Sequence, residues 1–231
     1  MELLWGGIKH SLSLFLTGDP EVFGITLLSL EVSGISTGLA LLVGIPLGTF
    51  IALARFPGRG LVISLVNTGM GLPPVVVGLF VSIFLWRSGP LGFLDLLYTP
   101  GAIVIAQFII AAPIVTGLTL AAVQQIPPQF RLQILALGAS RIQLLWVLLR
   151  EARLPLLAAM MAGFGGVISE VGASMMVGGN IRGQTRVLTT ATVLETGKGN
   201  LDVAIALSLL LLVITFLVNW ALTWIQQRRR A

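Results

Sequence analysis

The sequence predicts an all-α integral membrane protein with about five transmembrane helices. Hydrophobic residues make up 56% of the 231-residue chain and charged residues only 10%, whereas soluble domains carry about 25% charged residues. The mean hydropathy is +0.99, and the apolar residues form long runs separated by short stretches that hold the arginines. A helical bundle in a bilayer fits these observations, because each helix pairs its own backbone polar groups there.

Five apolar segments exceed or match the roughly 20 residues that a helix needs to cross a bilayer. We expect the spans at residues 22–54, 61–86, 101–123, 155–177 and 203–225, within one transmembrane domain over 19–231. The first span is over-long and should tilt or protrude. Asp19 and Pro20 are a favourable cap and first residue for it.

Residues 1–18 are predicted to form an interfacial amphipathic helix on the extracytoplasmic side. Leu4, Ile8, Leu12 and Phe15 recur at helical spacing with Lys9 between them, and the segment is too short and too polar to span.

The basic residues predict the orientation of the chain. Nine of the fourteen lie in one set of connections and at the C-terminus, against five in the other set. Cytoplasmic connections are enriched in lysine and arginine. The N-terminus is therefore expected outside and the C-terminus in the cytoplasm.

A polar interruption at residues 127–155 separates two membrane-length segments and carries four arginines. Its pattern predicts two short helices joined by a tight bend, with Gly138 in a left-handed position and Ser140 capping a second helix that begins at Arg141. The orientation places this hairpin in the cytoplasm. A stiff helical hairpin on the membrane surface is typical of a docking element.

The second span contains Pro73 and Pro74, with Asn67 and Thr68 shortly before them. The prolines remove intrahelical hydrogen bonds and predict a kink, which either packs as a structural feature or lines a pathway or gate.

Two carboxylates, Glu31 and Glu170, lie inside predicted spans, and Ser174 follows Glu170 one turn later. Intramembrane carboxylates are commonly functional. For Glu170 a structural hydrogen-bonding role and a role in lining the pathway both remain open, and Glu31 can also reach the outer interface.

The connection 178–200 is predicted to be an outer loop. Its residues Asn180, Arg182 and Arg186 are candidates for contact with an oxyanion or with an acidic face of a partner. A solvated loop is the alternative.

Several kinds of chemistry are excluded. The chain has no cysteine and one histidine, His10, so thiolate and transition-metal sites are not expected. We find no nucleophile–base pair and neither GxGxxG nor GxxxxGK[ST], so we expect no enzyme activity, no ATP site and no cofactor. The net charge of +5 follows the membrane connections, which does not favour nucleic-acid binding.

These motifs together resemble those of ABC importer permeases. Gly138-Ala139-Ser140 and the later Leu154-Pro155 resemble their cytoplasmic coupling loop, although Leu132, Gln133 and Ile134 stand where the family usually has Glu-Ala-Ala. LPPVVVGL at 72–79 and ISEVGA at 168–173 resemble signatures of the branch that imports sulfate, molybdate or tungstate. MMVGGNIRG at 175–183, followed by TRVLTT at 185–190, resembles the tungstate-type permeases.

The resemblance implies a homodimer of permeases in the plasma (inner) membrane of a prokaryote, surrounded by lipid. Two cytoplasmic ATPase subunits would bind ATP and dock on the hairpins, driving alternating access. An extracytoplasmic binding protein would deliver the oxyanion, tungstate before molybdate or sulfate. The candidate coupling residues are Arg131, Gly138, Ala139, Ser140, Arg141 and Pro155. The candidate pathway or gate residues are Asn67, Thr68, Pro73, Pro74, Glu170 and Ser174, and the candidate binding-protein or anion contacts are Asn180, Arg182 and Arg186.

Two rival functions use the same membrane topology. An ion-coupled secondary carrier would use Glu170 and Glu31 as coupling groups, and a membrane anchor would transport nothing. The arginine-bearing hairpin favours the ATP-driven permease, because a self-sufficient carrier needs no docking element.

Overall fold

The computed structural model describes residues 19–228, and this part of the chain is helical without a strand. The helix predicted over residues 1–18 lies outside the described residues. The helices are α1 (Pro20–Leu53), α2 (Arg59–Met70), α3 (Pro74–Leu85), α4 (Pro100–Gln124), α5 (Pro128–Ala136), α6 (Arg141–Glu151), α7 (Arg153–Ile168), α8 (Gly172–Gly178), α9 (Leu188–Gly197) and α10 (Leu201–Arg228).

The predicted five spans are confirmed when each bent helix pair is taken as one span. Helices α1, α4 and α10 are each long and apolar enough to cross a membrane. The pairs α2–α3 and α7–α8 each meet the same requirement together, although both are strongly bent.

Helix α1 has satisfied backbone groups at both ends. The Asp19 carboxylate accepts hydrogen bonds from the backbone nitrogens of Glu21 at 2.8 Å and Val22 at 3.3 Å, which satisfies amides that have no partner within the helix. At the other end, Arg59 Nε donates to the carbonyl oxygen of Ile51 at 2.8 Å. Both ends of this 34-residue helix are thereby stabilised.

Helix α4 is the centre of the bundle, and α1, α2, α7 and α8 pack against it. Helix α1 approaches α4 closely at Gly44 and Gly48. A Cβ on Gly48 would lie only 2.5 Å from the Thr116 carbonyl oxygen, whereas one on Gly34 or Gly38 would meet nothing within 4 Å. Small residues allow such approach in lipid, where hydrophobicity does not drive helices together.

Both bent pairs break inside a predicted span. Helices α2 and α3 meet at 101°, because Pro73 and Pro74 supply no backbone N–H to continue the helix. The predicted kink is therefore confirmed, and it is a full break. Helices α7 and α8 meet at 57° across residues 169–171. The sequence contains no proline there, and the break within the span predicted over 155–177 was not foreseen.

Helix α9 occupies half of the connection that was expected to be an outer loop, and this prediction is corrected. Its threonine-rich sequence has low intrinsic helix propensity. Burial of Leu188 and Ala191 against Ile25 of α1 and Leu207 of α10 stabilises the helix. Tertiary packing stabilises this helix, and no local sequence pattern predicts it.

Candidate functional site

The hairpin of α5 and α6 turns at Gly138, as predicted. Gly138 has a φ of 84°, a left-handed conformation that favours glycine. The Ala139 nitrogen donates to the Ile134 carbonyl at 3.3 Å, which closes the end of α5. Ser140 Oγ accepts from the Gln143 nitrogen at 3.3 Å, and the Ser140 nitrogen donates to Gln143 Oε1 at 2.7 Å. This capping box makes the bend stiff.

The hairpin exposes an apolar tip. Leu148 of α6 is fully buried, whereas Leu137 at the bend is 88% exposed and Ile142 is 80% exposed. The Arg150 guanidinium lies 5.1 Å from the centre of the exposed Trp146 ring, within the range of a cation–π contact. Apolar side chains beside arginines make a surface suited to a protein partner.

The six predicted coupling residues lie in or beside this hairpin. Arg131 is in α5, Gly138, Ala139 and Ser140 form the bend, Arg141 is the first residue of α6, and Pro155 is in the first turn of α7. The structure therefore groups all of them at one end of the bundle.

The two helix breaks meet where α3 packs on α8. A Cβ on Gly78 would lie 2.7 Å from Ala173 Cα, and one on Gly172 would lie 2.7 Å from Val75 Cγ2. Four of the predicted pathway residues, Pro73, Pro74, Glu170 and Ser174, lie within two positions of these contacts along the chain. Two discontinuous helices in contact are a common way to line a membrane pathway, because the broken backbone carries unpaired polar groups.

The other two predicted pathway residues lie on α2, before its break. Asn67 and Thr68 are exposed, and the Thr68 hydroxyl donates to the Ser64 carbonyl at 2.8 Å. Helix α2 buries none of its residues fully. Its polar side chains are therefore available to a pathway or to a second chain.

Glu170 lies in the α7–α8 break and is only 8% exposed. Its Oε1 accepts a hydrogen bond from the Ala173 nitrogen at 2.9 Å, and its carbonyl accepts one from the Thr189 hydroxyl at 2.9 Å. The side chain thus caps α8, and the backbone ties the break to α9. By contrast, Glu31 is exposed on α1.

A buried polar network beside the break was not predicted. Gln107 Nε2 of α4 donates to the Val167 carbonyl near the end of α7 at 3.1 Å, and Ser36 Oγ of α1 lies 3.3 Å from Gln107 Oε1. These contacts join three helices at one level. A glutamine in the middle of an apolar span was the sequence signal for this network, since an amide in lipid requires partners.

The other end of the bundle carries a second polar cluster. Arg182 Nε donates to Glu21 Oε1 at 2.8 Å, and its Nη2 also pairs with Glu21. This hydrogen bond raises the pKa of the Arg182 guanidinium. Arg186 Nη1 lies 3.5 Å from Glu21 Oε1, and Asn180 Nδ2 donates to the Thr190 carbonyl at 3.3 Å.

The three predicted anion-contact residues therefore lie near one another. Arg182 and Arg186 are paired with Glu21, but the buried Arg186 Nε and Asn180 Oδ1 have no hydrogen-bond partner within the described residues. The acidic residue Glu21 offsets part of the arginine charge. The pairing of Glu21 was not predicted, because its partner Arg182 lies 161 positions later in the chain.

The five apolar spans, two of them broken, and the stiff hairpin define a class of multi-span helical membrane proteins. The structure is similar to that of a bacterial ABC transporter involved in the import of the acidic polysaccharide alginate. The match covers 95% of this chain and 83% of that one, with a TM-score of 0.78 and 19% sequence identity. At that identity the match establishes the fold alone.

Sequence comparison establishes the family. Residues 44–231 match the family described as binding-protein-dependent transport system inner membrane component. The chain is 39% identical to the tungstate uptake system permease protein TupB of Peptoclostridium acidaminophilum, over 98% of this chain and 100% of that protein. It is 40% identical to a probable anion ABC transporter permease protein of Haloferax volcanii, over 89% and 92%. The chain belongs to this family of ABC importer permeases.

Proposed function

We propose that this chain is the permease subunit of an ATP-driven importer of a tetrahedral oxyanion, and that the oxyanion is tungstate. Two relatives support the substrate class, one a tungstate uptake permease and the other a probable anion transporter permease. Molybdate and sulfate are the next candidates. Two copies of the chain form the pathway, and a binding protein delivers the anion from outside.

The observation that carries the proposal is the stiff hairpin with an exposed tip. A separate ATPase subunit binds ATP and docks on each hairpin, so closure of the ATPase dimer moves the two hairpins together and switches the pathway between its inward- and outward-facing states. The capping box at Ser140 and the left-handed Gly138 support this role, because only a rigid element transmits displacement.

The permease itself catalyses no reaction and requires no cofactor. Its N-terminus lies outside and its C-terminus in the cytoplasm, in agreement with the uneven distribution of basic residues. Within the pathway, Glu170 acts as a scaffold, because a charged carboxylate repels a dianion and its Oε1 already caps α8. The exposed polar groups of α2 and the backbone near Pro73 and Pro74 are better placed for transient contacts with the anion.

Gly138→Val tests the coupling role. Nothing lies within 4 Å of a Cβ at Gly138, so the substitution acts through its left-handed backbone, where a β-branched residue is strained by about 1–2 kcal/mol. We expect tungstate-stimulated ATPase activity of the reconstituted complex to fall by at least about tenfold. A strain of about 1.4 kcal/mol in the docked state corresponds to about a tenfold change.

Gly199→Val is the matched control. Gly199 has a φ of 81° and equally open surroundings, but it lies between α9 and α10, away from the hairpin. We expect similar strain and normal coupling. Full ATP-driven uptake by the Gly138 variant would disprove the docking role, and uptake without any ATPase would favour the ion-coupled carrier.

A further inference from the structure

An apolar groove of about 570 Å³ lies between the C-terminal part of α1 and the hairpin helices. Ile45, Phe50, Leu144 and Leu149 are among the apolar side chains that line it. The transmembrane helix α1 forms one side of the groove, and the hairpin forms the other side. The groove is therefore at the boundary between the bilayer interior and the aqueous phase.

Two arginines of the hairpin, Arg131 and Arg141, also line the groove. None of the ion pairs within residues 19–228 involves either of them. The groove thus combines an apolar wall with two guanidinium groups, each of which can bind a phosphate through two parallel hydrogen bonds.

Thr49 provides an independent indication of a ligand in the groove. Its side chain lines the groove, the residue is only 4% exposed, and its hydroxyl has no hydrogen-bond partner within the described residues. In the same helix Thr37 donates to the Ser33 carbonyl at 2.7 Å, whereas the hydroxyls of Thr26 and of Thr119 in α4, like that of Thr49, have no partner within the described residues. A buried hydroxyl without a partner is unfavourable, which favours a ligand that accepts its hydrogen bond.

We propose that the groove binds one anionic glycerophospholipid. The headgroup phosphate pairs with Arg131 and Arg141, an ester carbonyl accepts the hydrogen bond from Thr49, and an acyl chain lies along Ile45 and Leu149. This proposal rests on the cytoplasmic location of the hairpin in the proposed function, since anionic lipids are attracted to basic segments of that leaflet. An inorganic anion would leave the apolar wall uncovered.

The bound lipid would connect the hairpin to α1. Few residues of the hairpin are buried against the bundle, namely Leu144 and Leu148 of α6 and none of α5. A lipid that contacts α1, α5 and α6 at once adds the support that α5 lacks. The coupling element would then include a lipid-binding site and depend on the bound lipid.

Native mass spectrometry of the purified full-length chain tests the proposal, with phosphatidylglycerol and phosphatidylcholine of identical acyl chains as probes. We expect the unmodified protein to retain phosphatidylglycerol preferentially. The double variant Arg131→Gln/Arg141→Gln should bind phosphatidylglycerol at least about tenfold more weakly, because it removes two charge-assisted contacts. Its binding of phosphatidylcholine should fall less, because the choline cation already offsets the charge of that phosphate, so the preference for phosphatidylglycerol should be lost. Thr49→Val should weaken binding of both lipids by about threefold to tenfold.

Three control variants separate binding from damage to the fold. Arg131→Lys/Arg141→Lys keeps both charges and should retain most of the phosphatidylglycerol preference. Arg87→Gln and Thr215→Val change an arginine and a membrane threonine that do not line the groove, and both should bind like the unmodified protein.

Equal phosphatidylglycerol binding by the unmodified protein and the Arg→Gln double variant would overturn the proposal. Displacement of the lipid by millimolar tungstate or phosphate, with the same arginine dependence, would overturn it in favour of an inorganic anion. The measurement involves no ATPase and no transport. Loss of lipid binding in the Arg→Gln variant therefore tests the lipid site alone. Loss of ATPase coupling in Gly138→Val, with lipid binding retained, tests the proposed function alone.

Discussion

Glu170 shows how a carboxylate becomes part of a membrane scaffold. It is buried, and both its side chain and its backbone carbonyl accept hydrogen bonds, from Ala173 and Thr189 respectively. Removing a buried acceptor leaves its donor unsatisfied, which costs about 1–3 kcal/mol. An amide oxygen can accept the same hydrogen bond, so the role of Glu170 in the fold depends on an oxygen at this position.

This role predicts different outcomes for two substitutions. Glu170→Gln should retain the cap on α8, the thermal unfolding temperature in detergent and most of the tungstate uptake. Glu170→Ala should lower the free energy of unfolding by about 1–3 kcal/mol, because the Ala173 amide loses its partner. A stable Glu170→Gln protein with abolished uptake would contradict the structural role and indicate that the carboxylate takes part in transport.

At the scale of elements, the contact between α3 and α8 joins the two broken spans. The two backbones lie very close together at this contact. A Cβ on Gly78 would lie 2.7 Å from Ala173 Cα, a backbone atom that cannot rotate away. Helices α3 and α8 must separate to admit even one methyl group. The packing of these two short helices is therefore sensitive to added volume, as is the contact of the long helices α1 and α4 at Gly48.

Gly78→Ala should lower the free energy of unfolding by about 1–3 kcal/mol through overpacking, measured by thermal unfolding in detergent. Gly34→Ala is the matched control, since it also lies within a membrane helix but has nothing within 4 Å of its Cβ position. It should be neutral or slightly stabilising, because alanine is about 1 kcal/mol more favourable than glycine in a helix. Equal effects of the two substitutions would exclude a close α3–α8 contact.

At the scale of the whole molecule, the charges are divided between the two ends of the bundle. Arg131 and Arg141 lie at the hairpin end, whereas Arg182 and Arg186 at the other end are paired with Glu21. The pairing reduces the free positive charge of one end further than a count of arginines suggests. Orientation follows the number of basic residues near the spans and not the net charge, so the proposed topology depends on the count of nine basic residues against five.

The cysteine-free chain allows a direct test of this topology. Single cysteines at Leu137→Cys and Gln184→Cys, both exposed positions, can be treated with a membrane-impermeant maleimide in intact spheroplasts. Gln184→Cys should react at once, and Leu137→Cys only after the membrane is permeabilised. The reverse pattern would place the hairpin outside and refute both the docking role and the orientation.

The hairpin and the break in the second span were predictable because their sequence signals are local. The Gly138 bend, the Ser140 cap and the Pro73–Pro74 break each depend on residues a few positions apart, whose backbone preferences act within one or two helical turns. The break at Glu170 carries no such signal. Its geometry depends on Thr189 and on the neighbouring helix α3, which the sequence places far away.

The sequence by itself determined that the chain is a five-span helical membrane protein with a capped hairpin, because hydropathy, capping residues and proline act locally. Only the tertiary structure decided which small residues are contacts, since Gly48 and Gly78 touch a neighbouring backbone while Gly34 faces open space. It also decided that α9 is helical and that Glu21 pairs with Arg182. These features arise from groups that meet only when the helices pack, and so no local pattern could reveal them.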